Sequence, residues 1–129
     1  MLTLFVVQSR ADALNHDRTV ESFHGLADEV YFVPNIQEIN GKSKQNEWYA
    51  VIYDDEHIDE PLKEGLKVFI EQCPVDVLVL GKEGKDKFFK CPRLFRRGIE
   101  LRADSLLPVK EGVEFETVLN GLIHDNDQV

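Results

Sequence analysis

Two runs in this sequence, Leu2-Thr3-Leu4-Phe5-Val6-Val7 and Trp48-Tyr49-Ala50-Val51-Ile52-Tyr53, are apolar at nearly every position and rich in β-branched and aromatic residues. A strand with one wet face alternates polar and apolar residues, whereas a strand covered on both faces reads as an unbroken apolar run. A third run, Val75-Asp76-Val77-Leu78-Val79-Leu80, has the same character apart from Asp76. A chain holding three such strands has to cover its sheet on both sides, and helices are the usual cover.

The intervening segments supply candidates for that cover. Asp12 can cap a helix whose Ala13, His16, Val20 and Phe23 share one face, closed by Gly25. Residues 29–33 read as a strand stopped by Pro34-Asn35, and residues 36–46 as a polar loop with room for one helical turn. Asp59 followed by Pro61 starts a second helix, with Leu62, Leu66, Phe69 and Ile70 as its core-facing stripe. Residues 81–87 read as a turn, and residues 88–97 and 99–101 as strands. Phe115, Val118, Leu119, Leu122 and Ile123 predict a third amphipathic helix, in which Gly121 costs about 1 kcal/mol against alanine.

The order β-α-β-loop-β-α-β predicts an α/β fold, a mainly parallel Rossmann-like sheet with flanking helices and a small antiparallel excursion near residues 88–102. Residues 1–129 read as a single domain. Ligands of such sheets bind beyond the carboxyl ends of the strands. That rule singles out Gln8-Ser9-Arg10, Pro34-Asn35 and Asp54-Asp55-Glu56.

Charge narrows the partners. A net charge of -9 argues against nucleic acid and anionic membranes, whose phosphates would be repelled. An anionic small ligand needs a metal ion or a local basic patch, and Lys82, Lys85, Lys87, Lys90, Arg93, Arg96 and Arg97 form one in the sequence. Read plainly, the same residues are a solvated hairpin. Cys73 and Cys91 lack the spacing of a disulfide framework or metal motif. The first residues lack the basic start of a signal peptide, and no apolar run reaches the roughly 20 residues that span a bilayer. The expectation is a cytoplasmic protein without a membrane span.

A carboxylate cluster directly after a buried strand projects oxygen ligands from a fixed backbone. Hard divalent cations such as Mn²⁺ and Mg²⁺ take such ligands and share them with substrate phosphates. The plainer reading is an acidic approach to a helix N-terminus. Residues 46–56, Asn-Glu-Trp-Tyr-Ala-Val-Ile-Tyr-Asp-Asp-Glu, followed by Ile58 and Leu62, resemble family 2 glycosyltransferases of the GT-A fold. The likeness lies in a Trp-led apolar strand, an Asp-Asp motif with a trailing Glu, and a helix. The first strand through Arg10, the helix ending at Phe23, the strand ending at Asn35 and the segment Cys91-Pro92-Arg93-Leu94-Phe95-Arg96-Arg97 resemble further parts of that family, in order, over roughly residues 1–100.

The resemblance implies a minimal, unusually short GT-A-type transferase that moves a sugar from a nucleoside diphosphate sugar, a UDP-sugar before a GDP-sugar, to a hydroxyl acceptor. Asp54 and Asp55 would hold the divalent metal, Mn²⁺ or Mg²⁺, with Asp54 also near the ribose. Gln8, Ser9 and Arg10 would border the nucleotide, Asn35 the base, Lys44 a phosphate, and Arg93 and Arg96 phosphate or acceptor; His124 resembles a late metal-shell histidine. The departures are Tyr53, where the Asp-x-Asp form has its first aspartate, and Asn35, where many members have aspartate. The chain also ends where the family supplies its acceptor region, so no residue is identified as the catalytic base. The alternative is a catalytically inactive nucleotide-sugar-binding or protein-interaction module. Under either reading Phe88, Phe89 and Phe95 would suit an interface, and a chain short of an acceptor half would complete its site as a homo-oligomer.

Overall fold

The structure, a computed structural model, describes residues 1–8, 16–84 and 87–126. Seven strands form one sheet: β1 (Leu2–Val7), β2 (Ala27–Val33), β3 (Trp48–Tyr53), β4 (Glu56–Ile58), β5 (Val77–Glu83), β6 (Phe88–Arg96) and β7 (Phe115–Asp125). Among the described residues there are three short helices, α1 (His16–Glu21), α2 (Gln37–Asn40) and α3 (Glu60–Gln72). Asp12 and Ala13, read as the start of the first helix, lie outside the described residues.

The apolar runs do what their composition dictates. All six residues of β1 are buried, and alternate side chains enter two separate cores. Leu2, Leu4 and Val6 join Trp48, Ala50 and Ile52 under Leu62, Leu66 and Ile70 of α3. Phe5 and Val7 join Tyr49, Val51, Ile39 and Phe95 on the other face. Each of the buried Leu, Ile, Val and Phe side chains contributes about 1.5–3 kcal/mol by leaving water, which offsets the entropy of ordering the strand. Helix α3 starts at Asp59, whose carboxylate accepts from Leu62 N at 3.0 Å, with Pro61 in the first turn.

The expected mainly parallel, Rossmann-like sheet with flanking helices is corrected by the strand order, β2-β1-β3-β6-β5-β7-β4. β1 runs parallel to β2 and β3, and β5 parallel to β7. The contacts β3–β6, β5–β6 and β4–β7 are antiparallel. The sheet is mixed because β6 turns straight back from β5 through a hairpin and inserts beside β3, with no helix carrying the chain over. The excursion expected near residues 88–102 is therefore an interior strand, and of residues 99–101 only Leu101 pairs, in an isolated bridge to Pro108. The strand read over residues 88–97 is β6, Phe88–Arg96; what differs is its place inside the sheet. Proline within a strand is accommodated at bulges, and the β5–β6 register passes from Leu78↔Leu94 to Val79↔Pro92, skipping Arg93.

The third predicted helix is the other correction, since residues 115–125 form β7. Val118 and Ile123 are buried in the core beside Leu62 and Leu66, but Phe115 is 47% and Leu119 79% exposed, so the five residues do not share one core-facing stripe. The register explains the false period. Leu80 pairs with Val118 and Lys82 with Ile123, so the strand bulges between its two buried residues, and the bulge lies against α3. Gly121, at φ 86, takes the backbone through that bulge. Beyond it β7 keeps β5 on one side, through Lys82↔Ile123 and Glu83↔His124, and takes β4 on the other.

Candidate site at the acidic turn

Strands β2, β1 and β3 end side by side, with Val7 opposite both Val33 and Tyr53. Their ladder extends one step further: Gln8 N donates to Val33 O at 2.9 Å and Asp54 N to Val7 O at 3.1 Å. Gln8, Pro34-Asn35 and Asp54-Asp55 therefore leave the sheet at one edge. Ser9 and Arg10, also assigned to the nucleotide, lie outside the described residues. Asn35 uses its side-chain oxygen to accept from Glu38 N at 3.1 Å, at the entrance to α2.

The turn itself is held from behind. Asn126 N donates to Asp55 O at 2.7 Å, and Asn126 Nδ2 to Thr19 Oγ1 at 3.0 Å and Asp54 O at 3.4 Å. Thr19 Oγ1 donates to Asp54 O at 3.2 Å, so α1 and the end of β7 grip the same peptide. Because the Asn126 amide donates in those contacts, its oxygen faces His57 Nδ1 at 2.9 Å and the imidazole proton resides on Nδ1. Burial, with Arg18 and His124 nearby, holds the His57 pKa below its ordinary value despite the Asn126 hydrogen bond. His57 stacks on His124, its cross-strand partner, at 5.5 Å between ring centres. His124 Nε2 lies 3.0 Å from Asp59 Oδ2, which also accepts from Leu122 N at 3.0 Å. The turn is thus connected, residue by residue, to the cap of α3.

Glu56 points the other way, into the protein, and is fully buried. It accepts from Tyr53 N at 2.9 Å, from Arg93 Nη1 at 2.7 Å and Nη2 at 2.9 Å, and from Lys82. Burial alone would raise the Glu56 pKa; the two hydrogen-bonded cations outweigh it and hold the carboxyl down to about 2. Lys82 also reaches Asp125 at 3.1 Å. Arg93, the residue skipped in the β6 register, is aimed at Glu56 by that bulge, and its guanidinium lies 5.3 Å from the centre of the Tyr53 ring.

The remaining residues proposed for ligand contacts stand elsewhere. Arg93 is 5% exposed behind the turn. Arg96 pairs with Trp48 at the opposite end of β3, with its guanidinium over the indole at 4.3 Å and Nε donating to Val75 O at 3.0 Å. Lys44 packs beside Phe5 and Tyr49 and donates to Ile39 O at 2.8 Å and Lys42 O at 3.0 Å. Phe88 and Phe89 are exposed on β6, whereas Phe95 is buried in the core.

Sequence reasoning missed the Glu56–Arg93–Lys82 group and the Thr19–Asn126–His57 clamp. Pro92 was the available sign of the first, since a strand proline announces a bulge. No local pattern announces the second, whose members are far apart in sequence.

Among the described residues no group of three or more His, Cys, Asp or Glu side chains is arranged to hold a metal ion. Of the two carboxylates of the turn, Asp55 is half-buried and Asp54 is fully buried; one or two protein carboxylates are the share expected when Mg²⁺ or Mn²⁺ is completed by water and substrate phosphate. Among the described residues no helix is long and apolar enough to cross a membrane. The chain matches no protein-family model and no curated protein.

Proposed function

We propose that the chain binds a nucleoside diphosphate sugar with a divalent cation at the edge where β2, β1 and β3 end, and acts there as a glycosyltransferase. The observation that carries this reading is the convergence of Gln8, Asn35 and the Asp54-Asp55 turn on adjacent ends of parallel strands. Asp54 and Asp55 hold the cation, which neutralises charge on the departing diphosphate. Gln8 and Asn35 border the nucleoside. The clamp of Thr19 and Asn126 fixes the turn before ligand arrives, so ordering it adds little to the cost of binding.

The test is calorimetric titration of UDP and then GDP with and without Mn²⁺. Binding is expected only with the metal, and Asp55→Ala is expected to weaken it at least tenfold while leaving the circular dichroism of the protein unchanged. Binding that ignores Mn²⁺, or persists in Asp55→Ala, removes the assignment. Slow release of free sugar from a bound donor, with water as acceptor, separates a transferase from a module that only binds.

A further inference from the structure

The segment before β3 and the segment after β6 meet beside the start of β3, because Arg97 N donates to Glu47 O at 2.7 Å. Between them lies a cleft of about 190 Å³ lined by Asn40, Lys42, Lys44, Arg97, Gly98 and Glu100, among others. Pockets for drug-sized ligands run to roughly 300–1,000 Å³, so this one suits a small group. We propose that Lys42, Lys44 and Arg97 form a receptor for a phosphate group in this cleft, apart from the acidic turn.

Charge is the first argument. Three cations face one carboxylate, Glu100, in a chain whose net charge is -9. Among the described residues none of the three cations has an ion-pair partner, since Lys44 and Arg97 bond to carbonyl oxygens only. The cleft is a local reversal of the protein's field, and that reversal draws an anion.

The second argument is preorganisation. Lys44 is half-buried against the Phe5 and Tyr49 rings, with Nζ at 5.5 Å and 5.0 Å from their centres. Two of its three N–H groups serve Ile39 O and Lys42 O, which leaves one for a ligand. Burial pushes its ammonium below the ordinary lysine range, with Glu100 opposing, and an anion beside it would restore the lost solvation. Arg97 donates one Nη1 hydrogen bond to Gln45 O at 3.2 Å and keeps further donors in the planar array that matches phosphate. The cleft floor is rigid: Asn40 and Leu101 exchange hydrogen bonds of 2.8 Å and 2.9 Å, which clip α2 to the loop after β6. No atom lies within 4 Å of where a Cβ on Gly98 would stand, so the rim there is open. The site is distant from the turn, since β3 runs its length of six residues, about 17 Å, between them.

The probes are inorganic phosphate and glycerol phosphate, titrated into the full chain and followed by amide chemical shifts, with sodium chloride matching the ionic strength. Saturable shifts are expected at residues 40–44 and 97–100. Lys44→Met, which keeps the apolar stem, should weaken binding about tenfold, and Lys42→Met with Arg97→Gln should do so independently on exposed positions. Tighter binding of the ester would assign the site to a phosphorylated ligand; equal affinities would assign it to the free ion. Shifts that fail to saturate, that chloride reproduces, or that survive both sets of substitutions overturn the proposal.

Discussion

Glu56→Ala is expected to destabilise the fold by about 3–5 kcal/mol, the cost of stranding a buried charge by removing its partner. Arg93 would remain 5% exposed with the Val51 carbonyl and the Tyr53 ring as neighbours, neither of which neutralises it. Lys82→Met should cost far less. Lys82 is partly exposed and removing it leaves Glu56 with the two Arg93 hydrogen bonds. Exchanging both charges together, Glu56→Leu with Arg93→Met, should be milder than Glu56→Ala alone, because no unpaired ion is left inside. Urea unfolding of the four proteins measures the order, and a Glu56→Ala protein within 1 kcal/mol of the parent would contradict it. The same group sets an acid limit. The folded pKa of Glu56 lies below its ordinary value of 4.5, at about 2, so its contribution is complete above pH 4.5 and fades as pH falls towards 2. Glu56→Gln should flatten that part of the acid denaturation curve.

Gly121→Ala should be comparably damaging, at about 3 kcal/mol or more. A Cβ there would sit 2.2 Å from Asp59 Oδ1, 2.4 Å from Leu62 N and 2.9 Å from Leu62 Cβ, on a backbone at φ 86. The left-handed conformation costs alanine roughly 1–2 kcal/mol. Displacing the Asp59 cap adds about 0.5–2 kcal/mol, and crowding at the start of α3 about 1–3 kcal/mol. Gly112 supplies the control, because it has φ 76 and open space around its Cβ position. Gly112→Ala should show the conformational cost alone. Equal losses in the two proteins, read from denaturant midpoints, would mean that α3 does not need the close approach at Gly121.

The features legible in the sequence are those encoded by neighbours. Leu2–Val7 and Trp48–Tyr53 declare burial on both faces, and Asp59 with Pro61 declares the start of α3. The end of β3 at Asp54-Asp55 follows from the same local reading, as does the placement of Gln8 beside it. Sheet order is a different kind of information. Nothing near Phe88 says that β6 will lie against β3, and its Arg93 looked solvent-facing until the bulge turned it towards Glu56. In β7 the bulge stretched the spacing of Val118 and Ile123, and a strand took on the rhythm of a helix. The clamp on the turn was hidden for a related reason, since Asn126 acts on Thr19 across the length of the chain.

The grip of Asn126 on the acidic turn also bears on the order of events during folding. Asn126 and Asp54 are 72 residues apart, and among the described residues β4 pairs with no strand but β7. Pairings this non-local close large loops before any contact compensates, which places mixed-sheet domains among the slower folders, towards milliseconds to seconds. Strands β1, β2 and β3 can zip first around their shared core, with the turn after β3 still loose. Its shape is completed in the final docking step. Recovery of ligand affinity after dilution from denaturant should therefore follow the slowest kinetic phase, lagging the return of β-sheet signal.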